Sequence, residues 1–140
     1  MNNPYTIYPI RSKKYKTKST TSATIPISGT KSGYGSWNSG DYGRWKNLNQ
    51  ITISPNTKNV TVIFSGNRGT SYTYFTNINY NNFANGIINV WYIPKSDASL
   101  IRRVEQCSLR NSSGSTIVTV ASDGSNICTD SDYNYTINWN

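Results

Sequence analysis

"YNYTINW", residues 133–139, alternates without a break: Tyr133, Tyr135, Ile137 and Trp139 fall on one side of an extended chain, and Asn134, Thr136 and Asn138 on the other. A helix would scatter the four large side chains around its circumference, whereas a strand, with its period of two, gathers them onto one face. The segment therefore reads as a strand with one buried and one solvated side.

The same period recurs upstream. "KNVTVIF" (58–64) repeats it with Val60, Val62 and Phe64, and "SYTYF" (71–75) with Tyr72 and Tyr74 as its apolar face. "ATIPIS" (23–28) sets Ile25 and Ile27 around Pro26, which cannot donate to a ladder and so marks an edge or a strand end. "NLNQITIS" (47–54) carries Ile51 and Ile53 up to the turn residues "SPNTKN". "GIINVWYIP" (86–94) is apolar at nearly every position, as expected of a central strand covered on both sides.

"LIRRVEQCSLR" (100–110) nearly fits helical spacing through Leu100, Ile101, Val104 and Leu109, but Arg102, Val104, Gln106 and Ser108 also alternate, and the strand is the preferred reading. "STIVTVA" (115–121) and "ICT" (127–129) follow, separated by the turns "NSSG" and "SDGSN". About eight short strands at spacings of about ten residues predict an all-β chain, a single β-sandwich or jelly roll. At 140 residues one core is the default. Two polar segments interrupt the pattern: "SGTKSGYGSWNSGDYGRW" (28–45), read as a Gly/Ser loop studded with aromatics, and "TNINYNNFANG" (76–86).

Charge divides the chain differently from hydropathy. Only 14% of residues are charged, yet the net charge is +8. Residues 1–40 hold Arg11, Lys13, Lys14, Lys16, Lys18 and Lys31 with no acidic residue, while the remaining eight basic residues are set against all six acidic ones. The expected organisation is a basic, extended N-terminal arm over residues 1–21 and a sandwich domain over 22–140. A basic arm ahead of a nearly neutral body is the arrangement expected of a chain that meets nucleic acid or an anionic surface, and Arg11, Lys13, Lys14, Lys16 and Lys18 are the candidate phosphate contacts.

Several chemistries are disfavoured. The chain has no His, so it lacks the ordinary general base of a Ser or Cys triad, and no residue is assigned a catalytic role. Asp130 and Asp132 are the acidic pair closest in sequence, and a solvated turn is the preferred reading of them. Two Cys without His or CxxC do not assemble a zinc site, and no metal or other cofactor is expected. Cys107 and Cys128 read either as separate thiols or as a disulfide between neighbouring strands. No apolar run is long enough to span a bilayer, and "MNNPYTIYPIRSKKYK" has no apolar core of a secretory signal. The sequons at Asn59, Asn111 and Asn134 carry little weight in a chain so rich in Asn, Ser and Thr.

The aromatic segment at 28–45 offers a second kind of site. Tyr34, Trp37 and Tyr42 supply faces that stack on a sugar ring, and Asn38 and Asp41 supply hydrogen bonds to hydroxyls. The competing structural reading makes Trp45, with Trp37, an anchor of the core, and is preferred.

A short Lys-rich segment, "RSKKYKTK" (11–18), before a β domain resembles the layout of the small jelly-roll coat proteins of satellite-type viruses. The resemblance implies a self-assembling structural protein, found in the virion or host cytoplasm, whose body tiles a shell and whose arm contacts the genome. The charge of about +6 on residues 1–40, five of it in the arm, on tens of subunits would neutralise several hundred phosphates. The alternative expectation is a lectin-like or toxin-like binding module, secreted, that recognises a glycan or a lipid head group through the aromatic segment.

Overall fold

The computed structural model describes residues 24–36, 39–41, 43–66, 69–94, 106–121 and 132–140. Among the described residues eight strands are formed: β1 (Gly29–Ser36), β2 (Lys46–Thr52), β3 (Asn59–Gly66), β4 (Gly69–Thr76), β5 (Ile87–Ile93), β6 (Gln106–Arg110), β7 (Thr116–Ala121) and β8 (Asp132–Trp139). They build two four-stranded antiparallel sheets with orders β1-β8-β3-β4 and β2-β5-β6-β7. The all-β, sandwich-like architecture expected from the alternating pattern is thus present. β8 returns between β1 and β3, as a Greek-key strand does, while β5, β6 and β7 follow one another as a meander, so this order does not by itself make a jelly roll.

The core lies between the sheets. Val60, Val62 and Phe64 of β3 and Tyr133, Tyr135 and Ile137 of β8 face Ile51, Ile88, Val90, Tyr92, Cys107 and Leu109 from the other sheet. Phe64 and Tyr92 stack with ring centroids 3.9 Å apart. Burying an aromatic of this size contributes about 2–3 kcal/mol, and this pair joins β3 of one sheet to β5 of the other. Hydroxyls then tie one sheet to the other. Tyr135 OH donates to Leu48 O at 2.8 Å and accepts from Asn49 Nδ2 at 3.0 Å, and Lys31 Nζ reaches Gln50 O at 2.8 Å.

Four expectations need correction. Residues 29–36 are a strand and not loop: β1 turns Gly29, Gly33 and Gly35 toward the core, and the rings of Trp139, Tyr135 and Tyr133 on β8 occupy the space where their Cβ atoms would be. Glycine is needed there because the neighbouring aromatics lean over the edge strand. In β4 the phase is the opposite of the expected one. Ser71, Thr73 and Phe75 point inward, and Tyr72 and Tyr74 point out, because Phe75 is the residue in phase with the core and the Phe64–Tyr92 stack leaves small side chains the inner positions. "ATIPIS" forms no strand over its described residues 24–28, and Ile25 and Ile27 are exposed, although Thr57 Oγ1 holds Ile27 O at 2.8 Å. Trp45 is half-buried and not a core anchor; with Arg110 it clothes the outer side of β5, so that among the described residues the strand is covered there by side chains.

The strand reading of "LIRRVEQCSLR" holds for Gln106–Arg110, with Cys107 and Leu109 buried. The polar segment at 76–86 is built of two short 3-10 turns, Tyr80–Asn82 and Ala84–Gly86, with Asn77 and Asn85 at φ 59° and 55°, the left-handed region that Asn tolerates better than most residues.

Candidate functional site

The five arm residues Arg11, Lys13, Lys14, Lys16 and Lys18 lie outside the described residues, as do Trp37, Asn38, Tyr42 and Cys128. Of the sugar-site candidates, Tyr34 and Asp41 are described, and they do different things. Tyr34 stands on the outer face of β1 and is 84% exposed. Asp41 closes a 3-10 turn and pairs with Lys46 Nζ at 3.4 Å, while Lys46 also donates to Ser36 O at 3.3 Å. The pair staples the β1–β2 connection. Cys107 is buried in the core.

Two outward surfaces carry the chemistry that remains. The first is the outer face of β1-β8-β3-β4. The strand registers place Ser32 beside Thr136, Ile63 and Tyr72 in one row, and Thr30 beside Asn138, Thr61 and Tyr74 in the next. Cross-strand hydrogen bonds fix the polar groups: Thr30 Oγ1 donates to Asn138 Oδ1 at 2.7 Å, and Ser32 and Thr136 hydroxyls meet at 3.2 Å. Tyr72 and Tyr74 stack at 6.0 Å, and Tyr74 is 56% exposed. Among the described outward residues of these strands the charged one is Asp132, at a corner, where it accepts from Ser36 Oγ at 2.7 Å. Strand spacing and length give this face, uncharged but for that corner, an extent of roughly 15 by 25 Å.

The second surface is the outer face of β2-β5-β6-β7. Here Arg110 lays its guanidinium 4.3 Å from the Trp91 ring centroid and 5.0 Å from that of Trp45. Its Nε donates to Ser108 Oγ at 3.0 Å. Gln50 Nε2 donates to Asn89 Oδ1 at 3.2 Å beside it. Sequence reasoning missed this cluster because its members come from three separate segments, and the register that aligns Asn89 with Arg110 and Trp91 with Ser108 is set by the folded sheet. The available signal was Trp91 on the polar phase of β5.

A groove of about 310 Å³ opens between β4 and β7, the edges of the two sheets, lined by residues including Phe75, Ile78, Phe83, Val118, Asn79 and Asn82. Among the described residues there is no group of three or more His, Cys, Asp or Glu able to hold a metal ion, and no helix is long and apolar enough to cross a membrane. No protein-family model, curated protein or solved structure matches the chain.

Proposed function

We propose that the protein is a self-assembling structural subunit that holds nucleic acid through its basic N-terminal arm. The observation that carries this reading is the segregation of charge. A chain of net charge +8 repels its own copies, and residues 1–40 concentrate the positive field. The outer face of β1-β8-β3-β4 has no Lys or Arg among its described outward residues, and its one charge there, Asp132, sits at a corner, so copies meeting there bring no cations together. Its exposed Tyr34, Tyr72 and Tyr74 are of the residue type enriched at protein interfaces. Polyanion bound to the arms would neutralise the remaining repulsion, so assembly and nucleic-acid uptake support each other. In the satellite-type coat proteins that the chain resembles in layout, a jelly-roll body and a basic arm divide the work in this way.

The test is a full-length variant with Arg11, Lys13, Lys14, Lys16 and Lys18 all changed to Gln. The sandwich is expected to fold as before and the co-purifying nucleic acid to be lost. Unchanged nucleic-acid content would show that the arm does not do this work.

A second reading, a glycan-binding module, is favoured by one specific feature: the stacked, exposed Tyr72–Tyr74 pair beside a lattice of fixed hydroxyl and amide groups. It expects a neutral or acidic oligosaccharide to give a calorimetric binding signal that Tyr74→Ala abolishes. Silence across a broad oligosaccharide panel would remove this reading.

A further inference from the structure

The outer face of β2-β5-β6-β7 offers a flat cation held between two flat aromatics. An Arg left in water samples many rotamers, but Arg110 is fixed by Trp91 at 4.3 Å, Trp45 at 5.0 Å and the Nε to Ser108 Oγ bond at 3.0 Å. Once Nε is satisfied, the two Nη groups remain. They make no hydrogen bond to a described residue, and no described carboxylate pairs with them. A half-buried guanidinium whose terminal fork is unused is preorganised for an oxyanion, because the ordering of the side chain has already been met within the fold.

The surroundings narrow the ligand. Both indoles are half-buried, so neither is sealed from solvent. Gln50, whose Nε2 donates to Asn89 Oδ1 at 3.2 Å, presents its amide next to the stack, and Asn89, which in turn donates to Asn111 O at 3.4 Å, holds it in place. Across the face, the outward positions aligned with Trp91, Asn89 and Arg110 on the neighbouring strands are Asn47, Gln50, Ser108 and Thr116, and none is acidic. A planar ring that stacks, edge groups that take amide hydrogen bonds and an adjoining oxyanion occur together in a nucleotide, and stacking on Trp with support from Arg is how single strands are held without regard to sequence.

We infer that Trp45, Arg110 and Trp91 form a contact for single-stranded nucleic acid on the sandwich itself, separate from the arm. This rests on the nucleic-acid reading above but assigns a different surface to it. The arm neutralises phosphates anywhere along a strand, whereas this cluster would fix one base and its neighbouring phosphate.

The experiment uses the full chain and a fluorescein-labelled rU20 oligonucleotide, with anisotropy and Trp emission read together. Wild type is expected to bind with quenching of Trp emission. Arg110→Gln is expected to weaken binding by about tenfold and to lose most of the quench. Arg110→Lys, which keeps the charge and loses the planar fork, is expected to weaken it several-fold. Thermal unfolding of both variants checks that the sheet is intact, and Trp45→Phe serves as a second probe because it retains a ring at a half-exposed position. Binding of rU20 by Arg110→Gln within twofold of wild type, with the quench unchanged, would overturn the site. Quenching by a sulfated oligosaccharide and not by rU20 would also overturn it, in favour of an acidic glycan. The arm-neutral variant keeps the two proposals distinguishable: if it binds rU20 as wild type does while Arg110→Gln does not, the arm reading fails and this site stands. The reverse pattern leaves the arm and removes the site.

Discussion

Thr73 presents a hydroxyl to the interior at 0% exposure, and its Oγ1 has no hydrogen-bond partner among the described residues; Ser71 Oγ, two positions earlier on β4, is in the same condition. An unsatisfied buried polar group costs about 1–3 kcal/mol, and an apolar group of the same shape removes that cost. Thr73→Val is therefore expected to raise stability by about 1 kcal/mol in urea unfolding, and a loss of stability would mean that the hydroxyl has a partner. Tyr135 is the opposite case. Its OH donates to Leu48 O and accepts from Asn49 Nδ2, so Tyr135→Phe removes a link between the sheets and strands both partners. The expected loss is about 1–3 kcal/mol by the same measurement, and a neutral result would contradict the bridging role.

At the scale of elements, edge strand β1 pairs with β8 alone, and it fits there because its glycines leave room for the aromatics of β8. A Cβ at Gly33 would sit inside the Tyr135 ring. Gly33→Ala is expected to cost about 1–3 kcal/mol, and most of that cost should vanish in the Tyr135→Leu background. Additive losses in the two backgrounds would mean that the contact is not what matters. The dependence also explains what the sequence disclosed. β3 and β8 were legible because Val60, Val62, Phe64, Tyr133, Tyr135 and Ile137 recur at every second position, and β5 because its run is apolar at nearly every position; all three bury alternate residues. β1 was not, since its inward positions are Gly29, Lys31, Gly33 and Gly35, and the apolar volume facing them belongs to β8. β4 was read in the wrong phase because two large Tyr outweighed one Phe, and size alone does not say which face of an edge strand is buried. Of the candidate sites, exposed Tyr34 was found from its local composition; the Trp45–Arg110–Trp91 stack depends on pairing between strands, which no local pattern contains.

For the whole molecule, the net positive charge is concentrated in residues 1–40, and the proposed contact between copies uses a sheet face with no Lys or Arg among its described outward residues. Thr136 lies within that face, beside Ser32 and Ile63. Thr136→Lys is expected to leave the monomer within about 0.5 kcal/mol of its original stability, as outward substitutions usually do, yet to break assembly by placing like charges opposite one another. Assembly that survives this change would move the interface elsewhere. The most direct measurement is light scattering on a size-exclusion column, with absorbance at 260 and 280 nm, on gently purified protein not treated with nuclease. A self-assembling, nucleic-acid-holding subunit gives a particle of tens of 15.7 kDa subunits with excess absorbance at 260 nm. A nucleic-acid-free monomer under the same conditions would contradict it.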